Sequence, residues 1–357
     1  MAKKILVVDD SALMRRVLCD IIESDDRFQV EDRAVNGVEA LNLLTKKTYD
    51  AVVLDVNMPQ MNGLELLKEL QKRKISARVM MASTDTKEGA KTTLDSLELG
   101  ALDFVHKPNN AMDCRTDEFK DKILRILAVV ADSKSPSFGK TFTMDELKTS
   151  KKMVELVSRK ASAVTGNKVV ALASSTGGPK ALQSVVPRLP KNLKAPVVIV
   201  QHMPAGFTAS LAERLNSLSE VYVKEAAEGD VLEAGTVYLA MGGKHLNVQT
   251  SMGKYTIHYT DQPTREGVKP CANYMYESLM DSKFDQVVCV VMTGMGADGT
   301  EGIKHLKEKK KIHVIAQEAS TCAVYGMPKS VVNAQLTDQI VPLDQIAQEI
   351  IMNVGVK

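Results

Sequence analysis

From its first residues the chain alternates short apolar runs with stretches of helical period. Ile5-Leu6-Val7-Val8 is continuously apolar and reads as a buried strand, and residues 12–23 follow with helical spacing. Further strands are predicted over 28–34, 51–54, 78–82 and 102–105, and helices over 36–46, 63–73 and 87–99. Strands that alternate with helices predict a parallel sheet with helices on both faces. The pattern restarts at residue 168. Strands are predicted there over 169–173, 197–201, 237–240, 287–292 and 313–316. Helices are predicted over 181–186, 208–216, 273–280, 302–309 and 345–352, with some antiparallel pairing around 255–259. Between the two patterns, Phe119, Ile123, Ile126, Leu127 and Val130 share the stripe of a domain-closing helix. Residues 131–140 have linker composition. Residues 144–160 read either as a second amphipathic helix or as a charge-rich mobile stretch. The division is therefore a first α/β domain over 1–110, a closing helix and linker over 111–167, and a second α/β domain over 168–357.

Composition narrows the class. A length of 357 residues suits two domains. Hydrophobic residues at 44% and charged residues at 25% are those of a soluble globular protein. A net charge of +2 lacks the basic excess of a nucleic-acid-coating surface, and no basic recognition helix stands out. The longest apolar runs are strand-length, so no membrane insertion is expected. The N-terminus enters a strand at once, without a signal-peptide layout. Cys19, Cys114, Cys271, Cys289 and Cys322 are scattered and show no CxxC spacing. They suit a reducing cytoplasm, predict neither disulfides nor a zinc site, and read as small buried apolar residues.

Ligands of doubly wound sheets gather at the carboxyl ends of the strands. In the first domain those ends carry Asp9, Asp10, Asp55, Ser83 and Lys107. One strand-end aspartate could simply cap the next helix. Crowded carboxylates are instead reconciled by a hard divalent cation, and Mg²⁺ suits oxygen ligands. The adjacent lysine and hydroxyl suit a phosphoryl group.

The segments Val7-Val8-Asp9-Asp10-Ser11, Leu54-Asp55-Val56-Asn57-Met58-Pro59 and Phe104-Val105-His106-Lys107-Pro108 resemble the receiver domains of two-component response regulators. The resemblance implies a flavodoxin-like, five-stranded parallel sheet with Asp55 as phospho-acceptor. It implies Mg²⁺ held by Asp10, Asp55 and the Asn57 carbonyl, with Asp9 in its outer shell. Lys107 would pair with the acyl phosphate, Ser83 would be the switch hydroxyl, and Phe104 the aromatic that follows it.

In the second domain, Lys168-Val169-Val170-Ala171-Leu172-Ala173-Ser174-Ser175-Thr176-Gly177-Gly178-Pro179 is an apolar strand that stops in small polar residues before a helix. It approximates a nucleophile elbow, and it equally fits a phosphate-binding turn. Two other strand ends deliver His202 and, after Thr293-Gly294-Met295-Gly296-Ala297, Asp298. Singly, His202 could be a structural histidine and Asp298 a helix cap. Together with Ser175 they match nucleophile, base and orienting acid, and Gly294 and Gly296 leave backbone N–H groups free to face an oxyanion. The chain order Ser–His–Asp differs from that of the α/β-hydrolases.

These segments, with Gln201-His202-Met203-Pro204, Gly242-Gly243-Lys244-His245 and Tyr325-Gly326-Met327-Pro328, resemble the chemotaxis protein-glutamate methylesterase family, CheB. With the receiver, the resemblance covers nearly the whole chain. It implies a doubly wound, mostly parallel hydrolytic domain with Ser175 as nucleophile, His202 as general base, Asp298 as orienting acid and the Met295 N–H as oxyanion donor. The implied reaction is hydrolysis of glutamate γ-methyl esters on chemoreceptor helices, releasing methanol, with glutamine deamidation as a second activity. The catalytic domain would need no cofactor. Cys271 and Asn273 stand where the family usually has serine and aspartate, and the run Gln317-Glu318-Ala319 also departs from its pattern. The expected partners are a chemotaxis histidine kinase and methylated receptor helices, and a monomer is expected. Unphosphorylated receiver is expected to cover the Ser175 edge, and phosphorylation to draw Ser83 and Phe104 inward. A receiver-controlled hydrolase of another ester, or a non-catalytic phospho-responsive adaptor, are the alternatives.

Overall fold

The computed structural model describes residues 2–84, 87–108, 113–133, 164–251 and 253–357. The predicted helix or mobile stretch over 144–160 and most of the linker lie outside them. The chain divides into two compact units, Met1–Thr141 and Phe142–Lys357.

In the first unit the elements are β1 (Lys3–Val8), α1 (Ala12–Glu23), β2 (Phe28–Ala34), α2 (Gly37–Leu44), β3 (Ala51–Asp55), α3 (Gly63–Arg73), β4 (Val79–Thr84), α4 (Lys87–Glu98), β5 (Asp103–Lys107) and α5 (Asp117–Asp132). The helix starts follow local chemistry. Ser11 and Asn36 accept the N3 amides of α1 and α2, and Asn62 forms a reciprocal capping box with Glu65. The five strands are parallel in the order β2-β1-β3-β4-β5. The order reverses between β1 and β3, the switch point at which such sheets bind ligands. Phe119, Ile123 and Leu127 of α5 pack into the same core as Ile5 and Val7 of β1 and Leu18 and Ile22 of α1.

The second unit runs β6 (Lys168–Ser174), α6 (Gly178–Val185), β7 (Val197–Gln201), α7 (Phe207–Leu218), β8 (Tyr222–Glu225), β9 (Thr236–Leu239), β10 (His245–Ser251), β11 (Lys254–Thr260), α8 (Ala272–Ser278), β12 (Gln286–Val291), α9 (Thr300–Lys309), β13 (Ile312–Gln317), α10 (Met327–Asn333), β14 (Gln339–Val341) and α11 (Ile346–Val354). Seven strands form one sheet in the order β14-β13-β12-β6-β7-β9-β8, with every pairing parallel. Strands β6, β7 and β12 are apolar and buried almost throughout, as a sheet covered on both faces requires. β10 and β11 form the antiparallel pair expected around 255–259, with His245 opposite Thr260. Tyr276 of α8 is fully buried, and its hydroxyl donates to Val290 O at 3.1 Å, tying α8 to β12. The hydrophobic pattern left β8, β14 and α10 without a prediction. β8 and β14 are short edge strands, half exposed, so they lack a long apolar run. α10 opens Met-Pro-Lys-Ser and spans only seven residues, too short for a period.

Candidate active site

In the seven-stranded sheet the order reverses beside β6, the first strand of this unit. β7 lies on one side of β6 and β12 on the other. The segments after these three adjacent strands therefore share one edge. They carry Ser175, His202 and the run from Thr293 to Asp298. Backbone hydrogen bonds hold the edge together. The Ser175 amide donates to Thr293 O at 3.0 Å, and the His202 amide to Ser174 O at 3.1 Å.

Ser174 and Ser175 have different fates. Ser174 closes the strand wholly buried, and its hydroxyl donates to Gln201 Oε1 at 2.7 Å. Ser175 is half-buried, and its hydroxyl meets no hydrogen-bond partner among the described residues. The turn past Ser175 is tight: the Gly178 amide donates to Ser175 O at 2.7 Å, and Gly177 has φ +75°. A Cβ at Gly178 would collide with Gln201 Oε1, and one at Gly294 would lie 2.8 Å from Ser175 Cβ. Those two positions admit only glycine without a shift of their neighbours.

His202 Nε2 lies 2.7 Å from Asp298 Oδ2, with both side chains largely buried. Asp298 is 2% exposed and accepts three more hydrogen bonds. They come from the Ala272 amide at 2.6 Å on Oδ2, and from the Asn273 amide at 2.9 Å and the Cys271 thiol at 3.0 Å on Oδ1. Burial alone would raise the Asp298 carboxyl. The His202 ring, the thiol and the backbone amide outweigh it and hold the carboxyl below its ordinary value. An ionised Asp298 on Nε2 fixes the imidazole proton there and leaves Nδ1 as the basic nitrogen. Met295 is half-buried, and its backbone N–H donates to no group among the described residues.

The sequence reading assigned no role to Gln201. Its buried carboxamide accepts from Ser174 and donates through Nε2 to Ser175 O at 2.9 Å and His202 O at 3.2 Å. One side chain thus ties the Ser175 turn to the His202 turn. The available signal was a glutamine at the end of the otherwise apolar run of β7. Asn273 is equally engaged. Its Oδ1 accepts the Gly299 and Gly302 amides at 3.0 and 2.7 Å, and its Nδ2 donates to Glu266 at 2.9 Å. Asp298 and Asn273 therefore each cap the segment that the other begins. Gln317, at the second departure, donates to Thr321 O and accepts the Thr293 amide at 2.8 Å, bracing the end of β12.

The first unit holds a separate polar cluster at its own switch point. Ligand oxygens of Asp9, Asp10 and Asp55 lie within 4.8 Å of one another, with Asp9 and Asp55 buried. Lys107 reaches from the end of β5 to both, at 3.1 Å from Asp9 Oδ2 and 2.6 Å from Asp55 Oδ1. Burial pushes both carboxyls up, against the pull of Lys107. Burial would lower the Lys107 ammonium, but the two carboxylates raise it. Three carboxylates therefore cluster beside one ammonium that reaches two of them, and the hard oxygen donors fit a divalent cation. The Asn57 side of the β3 turn is exposed. Ser83 is buried and accepts from Thr93 Oγ1 at 2.9 Å. Phe104 is also buried.

The chain is similar to known proteins over nearly its whole length. Residues 170–350 match the family model described as CheB methylesterase, and residues 5–116 match the response regulator receiver domain. A protein-glutamate methylesterase/protein-glutamine glutaminase of Geobacillus kaustophilus (strain HTA426) is 40% identical, covering 99% of each chain. The protein of that name from Bacillus subtilis (strain 168) is 39% identical over 97% of each. The crystal structure of the Thermotoga maritima CheB methylesterase catalytic domain is 40% identical. It covers 53% of this chain and 98% of its own, with a TM-score of 0.50. Ser175, His202 and Asp298 all fall within the matched 170–350 segment, and the similarity to the full-length relatives continues through the receiver. With a matching fold, a matching domain order and full-length similarity, the chain belongs to the CheB methylesterase family.

Proposed function

We propose that this chain hydrolyses glutamate γ-methyl esters on chemoreceptors and deamidates receptor glutamines, under control of phosphorylation at Asp55. The observation that carries the reading is the His202–Asp298 pair at 2.7 Å on the sheet edge that also bears the unengaged Ser175 hydroxyl. In this reading Ser175 Oγ attacks the ester carbonyl carbon while His202 Nδ1 takes the hydroxyl proton. Asp298 keeps the other imidazole proton on Nε2 and stabilises the imidazolium. The oxyanion forms against the Met295 N–H. The carbonyl re-forms, and methanol leaves with the proton from His202. Water then attacks the acyl-enzyme, giving its proton to His202; the bond from the acyl carbon to Ser175 Oγ breaks, His202 returns the proton to Oγ, and glutamate is released. From glutamine the same steps release ammonia.

The receiver spans residues 1–110 and the catalytic domain 168–357, joined by the closing helix and linker over 111–167. Asp10, Asp55 and the Asn57 carbonyl would hold Mg²⁺, with Asp9 behind them. Bound there, the ion would offset the charge of an incoming phosphoryl group. Lys107 neutralises the phosphorylated Asp55, and Ser83 and Phe104 respond to it. The phosphodonor is a chemotaxis histidine kinase, the substrate a methylated receptor helix, and the compartment the cytoplasm. Among the described residues no helix is long and apolar enough to cross a membrane.

The test is methanol release from methylated receptor by wild type and Ser175→Ala, each with and without a small-molecule phosphodonor. Release by wild type, raised by the phosphodonor and absent from the variant, supports the reading. No release by wild type would leave the adaptor alternative. Release only from non-receptor esters would point to another substrate.

A further inference from the structure

We propose that Cys271 is a positioning residue for hydrolysis: its thiol, donated to Asp298 Oδ1, sets how much of that carboxylate's charge is left for His202. The inference rests on the reading of Ser175, His202 and Asp298 given above.

Among the described residues Asp298 has four hydrogen-bond donors, and they are not alike. Two are backbone amides, Ala272 and Asn273, fixed in strength by the chain. The third is His202 itself. Cys271, 3.0 Å from Oδ1, is the one remaining donor whose strength depends on side-chain identity. It is fully buried. Burial and the neighbouring carboxylate both push the thiol up, so it remains an S–H donor through neutral pH. A thiol is a weak donor beside a hydroxyl. Less of the Oδ1 charge is neutralised, so more of it is left to face an imidazolium on His202. Because Asp298 bonds both Cys271 and His202, a change in donor strength at residue 271 reaches the base through that one carboxylate.

The titratable groups around Asp298 are His202, Cys271, His245 at the start of β10 and Tyr276 of α8. Lys269 stands near His245. Burial, with Lys269, holds the His245 imidazole down, and burial holds the Tyr276 phenol well up. Both are thereby biased toward their neutral forms, and the measurement reads the displacement of the acid limb between residue-271 variants.

The experiment compares the full chain with Cys271→Ser and Cys271→Ala, measuring kcat and KM for methanol release from pH 5 to 9. Donor strength predicts opposite displacements. The acid limb of kcat/KM moves down by a few tenths of a pH unit in the serine variant, whose stronger donor weakens the base. It moves up by a similar amount in the alanine variant, while KM stays within about twofold in both. A packing role predicts instead that the two smaller side chains behave alike. Unmoved limbs, or limbs displaced in the same direction, overturn the proposal. Should the serine variant fail to fold, the infrared S–H band in a wild-type minus Cys271→Ala difference spectrum decides. A band at lower frequency than a free thiol supports the proposal, and one at the free-thiol position overturns it. Ser175→Ala is run in parallel. Turnover by that variant would overturn the underlying reading, whereas a dead Ser175→Ala with an unresponsive Cys271 series overturns only this inference.

Discussion

Ser174 and Gln201 are cross-strand partners at the ends of β6 and β7, and the Ser174 hydroxyl donates to Gln201 Oε1 at 2.7 Å in full burial. The bond holds Ser174 inside the protein, while the next residue, Ser175, is half-buried with no partner for its hydroxyl among the described residues. Successive side chains of a strand face opposite ways. Ser175→Ala is expected to lower methanol release by about 10⁴-fold or more, as for other serine nucleophiles. Ser174→Ala is expected to keep turnover within about tenfold while costing about 1–3 kcal/mol of stability, because it strands the Gln201 oxygen. The reverse pattern in a methanol assay paired with urea unfolding would move the nucleophile to Ser174.

Gln201 ties the two turns through their carbonyls, so its loss should be felt in kcat before KM. Misplacement of reacting groups by about 1 Å costs on the order of 100-fold. Gln201→Ala is expected to lower kcat by about 10- to 100-fold with KM within about threefold. Gln201→Glu keeps an acceptor for Ser174 but cannot donate to the Ser175 and His202 carbonyls, and should be nearly as slow. Wild-type kcat in both variants would remove Gln201 from any positioning role.

Asp298 gives a pH signature. Its carboxyl lies below its unfolded value, so its stabilisation is complete above that value and is lost as pH falls through the folded one. Asp298→Asn, neutral at every pH, lacks the contribution. The difference in unfolding free energy between wild type and variant is therefore expected to shrink as pH is lowered from about 5 to about 3. Equal differences across that range, measured by urea titration, would contradict an ionised Asp298.

Variants at Asp55 and its neighbours are expected to separate phosphorylation from hydrolysis. Asp55→Asn is expected to abolish activation by a phosphodonor and to leave basal methanol release within about twofold. Chelation of Mg²⁺ should stop phosphoryl uptake by wild type with the same sparing of basal release. Lys107→Ala leaves Asp9 and Asp55 buried without their ammonium, and is expected to cost about 3–5 kcal/mol of receiver stability. Radiolabel incorporation and calorimetry read the two effects, and incorporation into Asp55→Asn would move the phospho-acceptor elsewhere.

Much of the molecule was legible from local pattern. The strand at residues 5–8, the helix at 12–23 and the turn at Ser174-Ser175-Thr176-Gly177 depend on apolar period, capping serine and small residues, all written within a few positions of the chain. Strand alternation also put Asp9, Asp55, Ser175, His202 and Asp298 at the ends or just past the ends of strands. The order of those strands was not local. Only the folded sheet sets β6 between β7 and β12, and so brings residues 175, 202 and 298 to one edge. The partners of Asp298 are more remote still. Cys271 and Asn273 lie 27 and 25 residues away in sequence, and no period or motif announces a thiol on a buried carboxylate. Sequence determined which residues could carry chemistry, because propensity and capping act over one or two turns of chain. Tertiary structure decided which of them meet and which nitrogen of His202 is left basic, because those depend on packing between segments far apart.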